Sequence, residues 1–319
     1  KADASAFTIA DGMVQHLLTD YLYGGGMFEV VGEEDCSVDL GDENPNVDGL
    51  VIPIAYRALL SETVREISCL KDHLQAEYPE MTVFIDPIDG TKEFTSGKGE
   101  QCSICIGFAS RGSPVGGLVF RPLTSPATYA MGCRGEKFVA SYLLPDEGAG
   151  GLLTSNGGIS PFLVGVMDRT NWSRIPAGGA GNKMLRLLEN EDNIYVLDRG
   201  LSRWDTCAAS AVIEANGGYV GKLSSYMRGD ADDYTYTKAE LNSDFEEGLA
   251  KLTKYNNSFG GEVTAKNGQI NAINVEEVKP YANLCGLVAM GPKWNNEKSK
   301  DEVLHVLQKV SKMHAPSYD

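Results

Sequence analysis

Long apolar runs are missing from this sequence. No segment among its 319 residues approaches the roughly twenty consecutive apolar residues that span a bilayer, and no secretory signal peptide is recognisable. These absences exclude a transmembrane protein and favour a cytoplasmic one. The chain starts at Lys1 rather than at a methionine, in what looks like the middle of an element, so we expect a further segment before it.

Positive charge is also scarce. The chain carries 28 lysines and arginines against 44 aspartates and glutamates, which gives a net charge of −16. Such a surface repels nucleic acids and anionic membranes, so we expect neither as a partner. A small phosphorylated molecule remains compatible, because bound metal ions reverse the charge locally. The oligomeric state leaves no signature in the sequence, and a monomer is the default expectation.

Cysteine and histidine are too scattered to form a metal or redox centre of their own. The seven cysteines are odd in number, which is typical of free thiols in a reducing cytosol. Cys102 and Cys105 lie three residues apart in a strand-like run, where such positions face opposite sides of a sheet. The four histidines lie near no carboxylate cluster, and we expect them to be surface or packing residues.

Helical and strand-like patterns occur in both halves of the chain, which predicts a layered fold of the α/β (α+β) class. Predicted helices cover residues 7–22, 51–77 and 296–312, and two more follow Lys183 and begin at Arg203. Predicted strands cover residues 27–31, 83–85, 102–108, 115–120, 127–131, 152–155, 162–166, 194–197 and 284–289. Residues 36–50 form a predicted acidic loop and 222–276 a polar insertion. The glycine-rich stretch 145–151 divides two predicted domains, 1–148 and 149–319.

The segment from Val83 to Phe94 carries the strongest chemical signal. An apolar run ends in Asp86 and Asp89, and Gly90 and Thr91 follow directly. The intervening proline keeps Asp86 extended and interrupts a strand ladder, and Asp-Gly then turns the chain. Two carboxylates this close repel each other unless hydrogen bonds or a cation compensate them. An Mg²⁺ site is the economical solution, and an ordinary turn is the alternative.

The spacing of these aspartates excludes two other kinds of site. A calcium-binding EF-hand loop needs oxygen ligands at alternating positions, with glycine sixth and glutamate twelfth, and Asp86 cannot open such a register. Phosphatases with a nucleophilic aspartate carry Asp-x-Asp, whereas two residues separate Asp86 from Asp89. These aspartates are therefore predicted to hold a metal and not to attack phosphorus.

Further acidic residues stand where predicted elements begin or end. Asp11 follows Thr8-Ile9-Ala10, Glu33 and Glu34 end a predicted strand, and Asp205 lies at the start of a predicted helix. A carboxylate at a helix N-terminus also caps the helix, and an acidic run is commonly a solvated loop. Both alternatives remain open from the residues alone.

Several motifs together resemble a known family. Gly32-Glu33-Glu34, Asp86-Pro87-Ile88-Asp89-Gly90-Thr91 and Trp204-Asp205-x-x-Ala208 with Gly217-Gly218 occur in the order of the inositol monophosphatase superfamily, which comprises lithium-sensitive, magnesium-dependent phosphatases. Thr8-Ile9-Ala10-Asp11 is similar to the N-terminal motif of that family. The resemblance implies a layered αβαβα sandwich of the inositol monophosphatase and fructose-1,6-bisphosphatase type. Domain 1–148 would carry most metal ligands, and domain 149–319 the substrate-binding loop and Asp205.

The resemblance also implies a role for each candidate residue. The ligands of two or three Mg²⁺ ions would be Glu33, Asp86, the carbonyl oxygen of Ile88, Asp89 and Asp205. Asp11 and Thr91 would orient and deprotonate the attacking water, and Gly90 and Thr91 would offer backbone amides to the phosphate. Glu34 would hold the ligands in orientation, and Li⁺ would inhibit the enzyme.

The second half refines the expected substrate. Gly179-Ala180-Gly181-Asn182-Lys183 resembles a motif of 3′(2′),5′-bisphosphate nucleotidases and inositol polyphosphate 1-phosphatases, in which Gly179 and Lys183 would contact substrate beyond the scissile phosphate. Thr154 and Ser155 would add contacts, although Asn156 stands where a histidine is common. We therefore predict hydrolysis of 3′-phosphoadenosine 5′-phosphate, inositol polyphosphates or both. The alternatives are a fructose-1,6-bisphosphatase-like enzyme, a simple inositol monophosphatase and a non-catalytic sensor of phosphorylated ligands.

Overall fold

The computed structural model describes residues 8–23, 28–34, 54–135, 138–229, 234–236, 282–283 and 286–317. Its helices are α1 (Ile9–Tyr23), α2 (Arg57–Leu74), α3 (Thr91–Thr95), α4 (Pro161–Thr170), α5 (Ala180–Glu189), α6 (Arg203–Ala215), α7 (Leu223–Arg228) and α8 (Glu297–Ser311). None of these described helices is both long enough and apolar enough to cross a bilayer.

The strands form two sheets and a short ribbon. The first sheet contains, in spatial order, β1 (Glu29–Gly32), β2 (Met81–Asp89), β3 (Ser103–Ser110), β4 (Ser113–Arg121), β5 (Thr128–Cys133) and β6 (Phe138–Tyr142). The second sheet contains β7 (Gly151–Thr154), β8 (Ser173–Pro176), β9 (Ile194–Leu197), β11 (Tyr219–Lys222) and β13 (Leu287–Met290), in the spatial order β11-β13-β9-β7-β8. The ribbon pairs β10 (Leu201–Ser202) with β12 (Ala282–Asn283).

The two faces of β2 show how the layers are arranged. Val83 and Ile85 pack in a cluster with residues of α2 and the first sheet, whereas Phe84 points to the opposite face and joins a cluster with α5 and α6. That second cluster continues into the second sheet, whose far face packs against α4, α7 and α8. The order of layers is therefore helix, sheet, helix, sheet, helix, as predicted.

Helix α6 packs directly against the backbone of the first sheet because two strands present glycine to it. A Cβ atom at Gly107 would lie 2.6 Å from the backbone nitrogen of Ala208, and one at Gly117 would lie 2.2 Å from the carbonyl oxygen of Ala208. The small residues Cys207 and Ala208 complete the contact from the helix side. This packing sets the distance between α6 and the first sheet, and therefore the position of Asp205 in the first turn of α6.

The prediction of a strand over residues 162–166 is wrong, because these residues lie in α4. Ser160 caps this helix by accepting a hydrogen bond from the backbone nitrogen of Leu163 at 3.2 Å, and Pro161 occupies its first turn. A short apolar run fits a buried strand and a buried helix equally well. No strand was predicted from the sequence at the positions of β6, β8, β10, β11 and β12. The predicted loop 36–50 and most of the predicted insertion 222–276 lie outside the described residues.

The predicted states of the cysteines and histidines hold wherever the structure describes them. Cys69, Cys102, Cys105, Cys133 and Cys207 are free thiols. His16, His73, His305 and His314 are exposed. The division of the chain into domains 1–148 and 149–319 stays a prediction.

Candidate active site

Strand β2 ends in the corner that carries Asp86 and Asp89. The pairing register between β2 and β3 shifts between these two aspartates, as expected where proline cannot donate to the ladder. Gly90 then adopts a left-handed conformation, with φ of 93°, and Thr91 begins α3. Since that conformation is strained for other residues, glycine is the residue that allows this turn.

Asp86 and Asp205 are neighbouring carboxyl groups, and the pKa of each is affected by the other. Burial raises the pKa of Asp86 well above its usual value, and the negative charges of Glu33, Asp89 and Asp205 raise it further. Loss of solvent raises the pKa of Asp205 to about 7, and Asp89 and Glu33 add to the effect. Both groups therefore favour the protonated form at pH values where an exposed aspartate is ionised.

Two of the predicted site residues, Asp11 and Asp205, are each held by a capping box at the start of a helix. Asp11 accepts the backbone N–H of Thr8 at 2.8 Å, and Asp205 accepts the backbone N–H of Ser202 at 2.7 Å. In each case the acid lies three residues after the residue that precedes the helix, so its carboxylate folds back over the helix N-terminus. Capping and a site role are thus compatible, because each carboxylate has a second oxygen.

The second oxygen of Asp11 faces Thr91. The Thr91 hydroxyl lies 3.3 Å from Oδ1 of Asp11 and 3.0 Å from the carbonyl oxygen of Ile88. Asp11 is fully buried, whereas Thr91 is half-buried. A hydroxyl held between a carboxylate and a carbonyl can pass a proton to the carboxylate.

Glu33 and Glu34 lie at the end of β1, beside the corner. The backbone nitrogen of Glu33 donates to the carbonyl oxygen of Ile85 at 3.0 Å, which continues the pairing of β1 with β2. Glu34 is buried. Gly32 leaves room for the side chain of Gln15 on α1, since a Cβ at position 32 would lie 2.2 Å from the amide nitrogen of that side chain.

Asp89 is held by the start of α5. It accepts the backbone N–H groups of Ala180 at 2.8 Å and Gly181 at 2.7 Å, and the hydroxyl of Ser103 at 2.8 Å. Burial raises its pKa, while the charge of Lys183 and these three hydrogen bonds act in the opposite direction. The predicted substrate loop therefore sits directly on a predicted metal ligand.

Lys183 and Thr154 are less accessible than expected for substrate contacts. The ammonium of Lys183 lies 3.3 Å from the carbonyl oxygen of Ala177 and 5.3 Å from the centre of the Tyr195 ring, and the residue is 5% exposed. Burial lowers the pKa of Lys183, while Asp89, Glu93 and Asp205 raise it. The hydroxyl of Thr154 is buried and accepts from the guanidinium of Arg174 at 3.1 Å. Ser155 is half-buried, and its carbonyl oxygen also accepts from Arg174.

A polar cluster that the motifs did not indicate lies beside the loop. Asn156 donates to Glu93 and to Gln101, each at 2.9 Å, and Gln101 also accepts the backbone N–H of Gly178 at 2.7 Å. Glu93 and Gln101 come from the segment after the Asp86–Thr91 corner. In the sequence these positions are distinguished only by being polar. Most polar residues are exposed to solvent, so no pattern identified these three as part of a site.

The donor set fits a hard divalent cation. Asp86, Asp89, Asp205 and Glu33 offer carboxylate oxygens, and Oδ1 of Asp86 is buried without a hydrogen-bond partner among the described residues. Within those residues no group of three His, Cys, Asp or Glu side chains surrounds one point as a ready-made metal site.

Comparison with protein families gives a decisive match. Residues 57–254 match the family described as the inositol monophosphatase family. The chain belongs to the inositol monophosphatase family. The matched region starts with α2 and includes Asp86, Asp89, Thr91 and Asp205, so it covers most of the candidate site.

Individual relatives and solved structures agree with this membership of the inositol monophosphatase family. The 3′(2′),5′-bisphosphate nucleotidase 1 of Rattus norvegicus is 28% identical over 250 residues, which are 74% of this chain and 76% of that protein. The Golgi-resident adenosine 3′,5′-bisphosphate 3′-phosphatase of Mus musculus is 28% identical over 190 residues, which are 57% and 52% of the two chains. Inositol monophosphatase-II of Staphylococcus aureus MSSA476 superposes with a TM-score of 0.52 at 15% identity, covering 97% of this chain and 86% of that one. The last likeness shows the fold alone.

The predicted family, fold class and enzyme class, a phosphatase of this family, are therefore confirmed. The roles of the individual site residues stay predictions, as do the metal, the inhibition by Li⁺, the monomeric state and the cytoplasmic location.

Proposed function

We propose that this protein is an Mg²⁺-dependent, Li⁺-inhibited phosphomonoesterase that hydrolyses a small bisphosphate. The observation that carries the proposal is the Thr91 hydroxyl, which lies between Asp11 and the carbonyl oxygen of Ile88, at a corner shared with the Asp86–Asp205 pair. A proton acceptor, a hydroxyl and a group of carboxylates thus adjoin one another. A phosphatase that uses water as its nucleophile needs these components.

The roles of the chain's own residues follow from their positions. Thr91 orients a water molecule and passes a proton to Asp11, whose other oxygen is fixed by the capping of α1. Gly90 leaves room for the phosphate next to the backbone amides of the turn. Glu33, Asp86, Asp89, Asp205 and the carbonyl oxygen of Ile88 would hold two or three Mg²⁺ ions. Bound Mg²⁺ supplies the charge that lowers the pKa of water, neutralises the phosphate and stabilises the leaving oxygen.

The loop that begins α5 supports a substrate with a second anionic group. Gly179 has a φ of 63°, and the helix N-terminus behind it favours negative charge. Lys183 lies within the protein behind this loop, where its charge is only weakly screened. The relatives named as bisphosphate nucleotidase and bisphosphate 3′-phosphatase act, by their names, on nucleotides with two phosphates. We therefore favour the 3′-phosphate of 3′-phosphoadenosine 5′-phosphate, with the 1-phosphate of inositol polyphosphates as the second candidate.

The proposal is tested by measuring phosphate release from three compounds side by side. We expect 3′-phosphoadenosine 5′-phosphate or inositol 1,4-bisphosphate to be hydrolysed in the presence of Mg²⁺, and fructose 1,6-bisphosphate to be poor. EDTA should abolish the release, and millimolar Li⁺ should inhibit it. Full activity in EDTA would refute the proposal. Binding of these compounds without any hydrolysis would instead favour a sensor of phosphorylated ligands.

A further inference from the structure

Gly178 begins the proposed substrate loop, and both its backbone N–H and its carbonyl oxygen are hydrogen-bonded to side chains. Its N–H donates to the side-chain carbonyl of Gln101 at 2.7 Å, and its carbonyl oxygen accepts from the side-chain amide of Asn182 at 2.9 Å. The guanidinium of Arg121 in turn donates to Asn182 at 3.1 Å. The backbone of the loop is therefore held by side chains from the first sheet and from the segment that follows α3.

The direction of the hydrogen bonds around Gln101 follows from chemistry. A backbone N–H can only donate, so Gly178 fixes the carbonyl oxygen of Gln101 on its side. Asn156 must then present its amide nitrogen to the same oxygen, and the carboxylate of Glu93 accepts from that nitrogen as well. Each member of the cluster can thus adopt only one orientation.

The cluster also determines how closely the loop approaches α3. A Cβ at Gly178 would lie 2.2 Å from Cγ of Glu93, and one at Gly179 would lie 2.9 Å from the backbone carbonyl oxygen of Gln101. Two residues further on, the N–H groups of Ala180 and Gly181 bond to Asp89. The start of α5 is thereby held at two points, Gln101 on one side and Asp89 on the other.

We propose that Gln101 is a positioning residue that places the Gly178–Lys183 loop for the second anionic group of the substrate. The inference rests on the proposed function, since it names the residue that sets the specificity loop of that same site. Gln101 acts through Gly178 and does not itself touch the reacting phosphate. Its loss should weaken binding of a bisphosphate and leave the chemical step almost unchanged.

The test uses Gln101→Leu, which removes the acceptor and adds no charge beside the loop. Gln308→Leu is the matched control, because Gln308 bonds to the carbonyl oxygen of Met227 on the surface of α8. With 3′-phosphoadenosine 5′-phosphate we expect Gln101→Leu to raise KM about five- to tenfold, the usual effect of losing one hydrogen bond, with kcat changed less than about twofold. Gln308→Leu should retain KM near that of the unmodified chain.

Hydrogen exchange of the loop gives a readout that needs no substrate. In the ligand-free full chain, peptides covering residues 177–183 should exchange faster in Gln101→Leu than in the unmodified chain or Gln308→Leu. Unchanged exchange and KM in Gln101→Leu would overturn the inference, and so would a loss of kcat alone. If Gln101→Leu does not fold, Asn156→Ala, which removes the donor that orients Gln101, should show the same pattern.

The failure of this inference can be distinguished from the failure of the proposed function. If the unmodified chain hydrolyses no phosphate monoester, the proposed function is wrong, and the exchange experiment still decides whether Gln101 holds the loop. If the chain is active and the loop exchange is the same in all variants, only the positioning role is wrong.

Discussion

Asp86 on β2 and Asp205 on α6 are neighbouring carboxyl groups, and the pKa of both is raised. Asp86 lies near the end of a strand of the first sheet, and Asp205 lies in the first turn of a helix from the second half of the chain. Packing of α6 on the sheet brings the two carboxyl groups together, and burial then favours their protonated forms. This relationship links the stability of the protein to pH.

The first prediction concerns the pH dependence of stability without metal. The pKa of Asp205 is about 7 in the folded state and 3.8 as its ordinary value, and the pKa of Asp86 is raised too. Between these values the folded state binds more protons than the unfolded state, so stability falls as pH rises from about 4 to about 7. In EDTA we expect Tm to be several degrees higher at pH 5 than at pH 8.

The control for this pH dependence is Asp86→Asn, which removes one member of the pair and should reduce the slope. A Tm that rises between pH 5 and pH 8 in the unmodified chain would contradict the prediction. Adding Mg²⁺ should raise Tm more at pH 8 than at pH 5, because the ion competes with protons for the carboxylates of the cluster.

The second prediction is that Asp86→Asn separates stability from activity. The amide has nearly the same shape but no charge, so repulsion within the carboxylate cluster falls, and Tm in EDTA at pH 8 should rise. Mg²⁺-dependent turnover should decrease by at least about a hundredfold, because a charged ligand is lost. Near-normal turnover in a phosphate-release assay would refute the role of Asp86.

The third prediction concerns the hydroxyl of Thr91. Thr91→Val keeps the branched shape but cannot donate to Asp11 or to the carbonyl oxygen of Ile88. We expect kcat to fall by about 10² to 10⁴, and Thr91→Ser to retain most of it. Thr95→Val, on the same short helix with its hydroxyl on the carbonyl oxygen of Lys92, is the control and should be active. Equal activity of Thr91→Val and Thr95→Val would remove Thr91 from the mechanism.

The fourth prediction concerns Lys183. Removing its charge in Lys183→Met, which retains an apolar chain of similar length beside Tyr195, should raise KM for a bisphosphate more than KM for a monophosphate. A difference of about tenfold between the two substrates is expected for one weakly screened charge. If KM rises equally for both, Lys183 does not act on the second anionic group.

The fifth prediction concerns the glycine contact that sets the distance between α6 and the first sheet. Gly117→Ala would place a methyl group against the backbone of Ala208, so we expect destabilisation of about 1–3 kcal/mol or more, with a loss of activity as Asp205 shifts. In the control, Gly158→Ala, no heavy atom lies within 4 Å of the new Cβ. Chemical denaturation measures both variants, and equal stability would show that α6 accommodates the methyl group.

Local patterns predicted those features that neighbouring residues determine. Proline and Asp-Gly after an apolar run define the end of β2, and hydroxyl and acidic residues three apart define the starts of α1 and α6. The element at residues 162–166 was predicted wrongly, because an apolar run of this length has no distinct periodicity. Only the cap formed by Ser160 and the packing of α4 against α8 decide that it is helical.

The sequence by itself determined the corner from Asp86 to Thr91, because this turn depends on residues adjacent in the chain. Only the tertiary structure decided that Asp86 pairs with Asp205, that Asp89 bonds to the start of α5, and that Gln101 holds Gly178. Each of these contacts joins residues far apart in the chain, and its energy depends on burial and on distances set by the packing of whole sheets and helices. No local pattern contains that information.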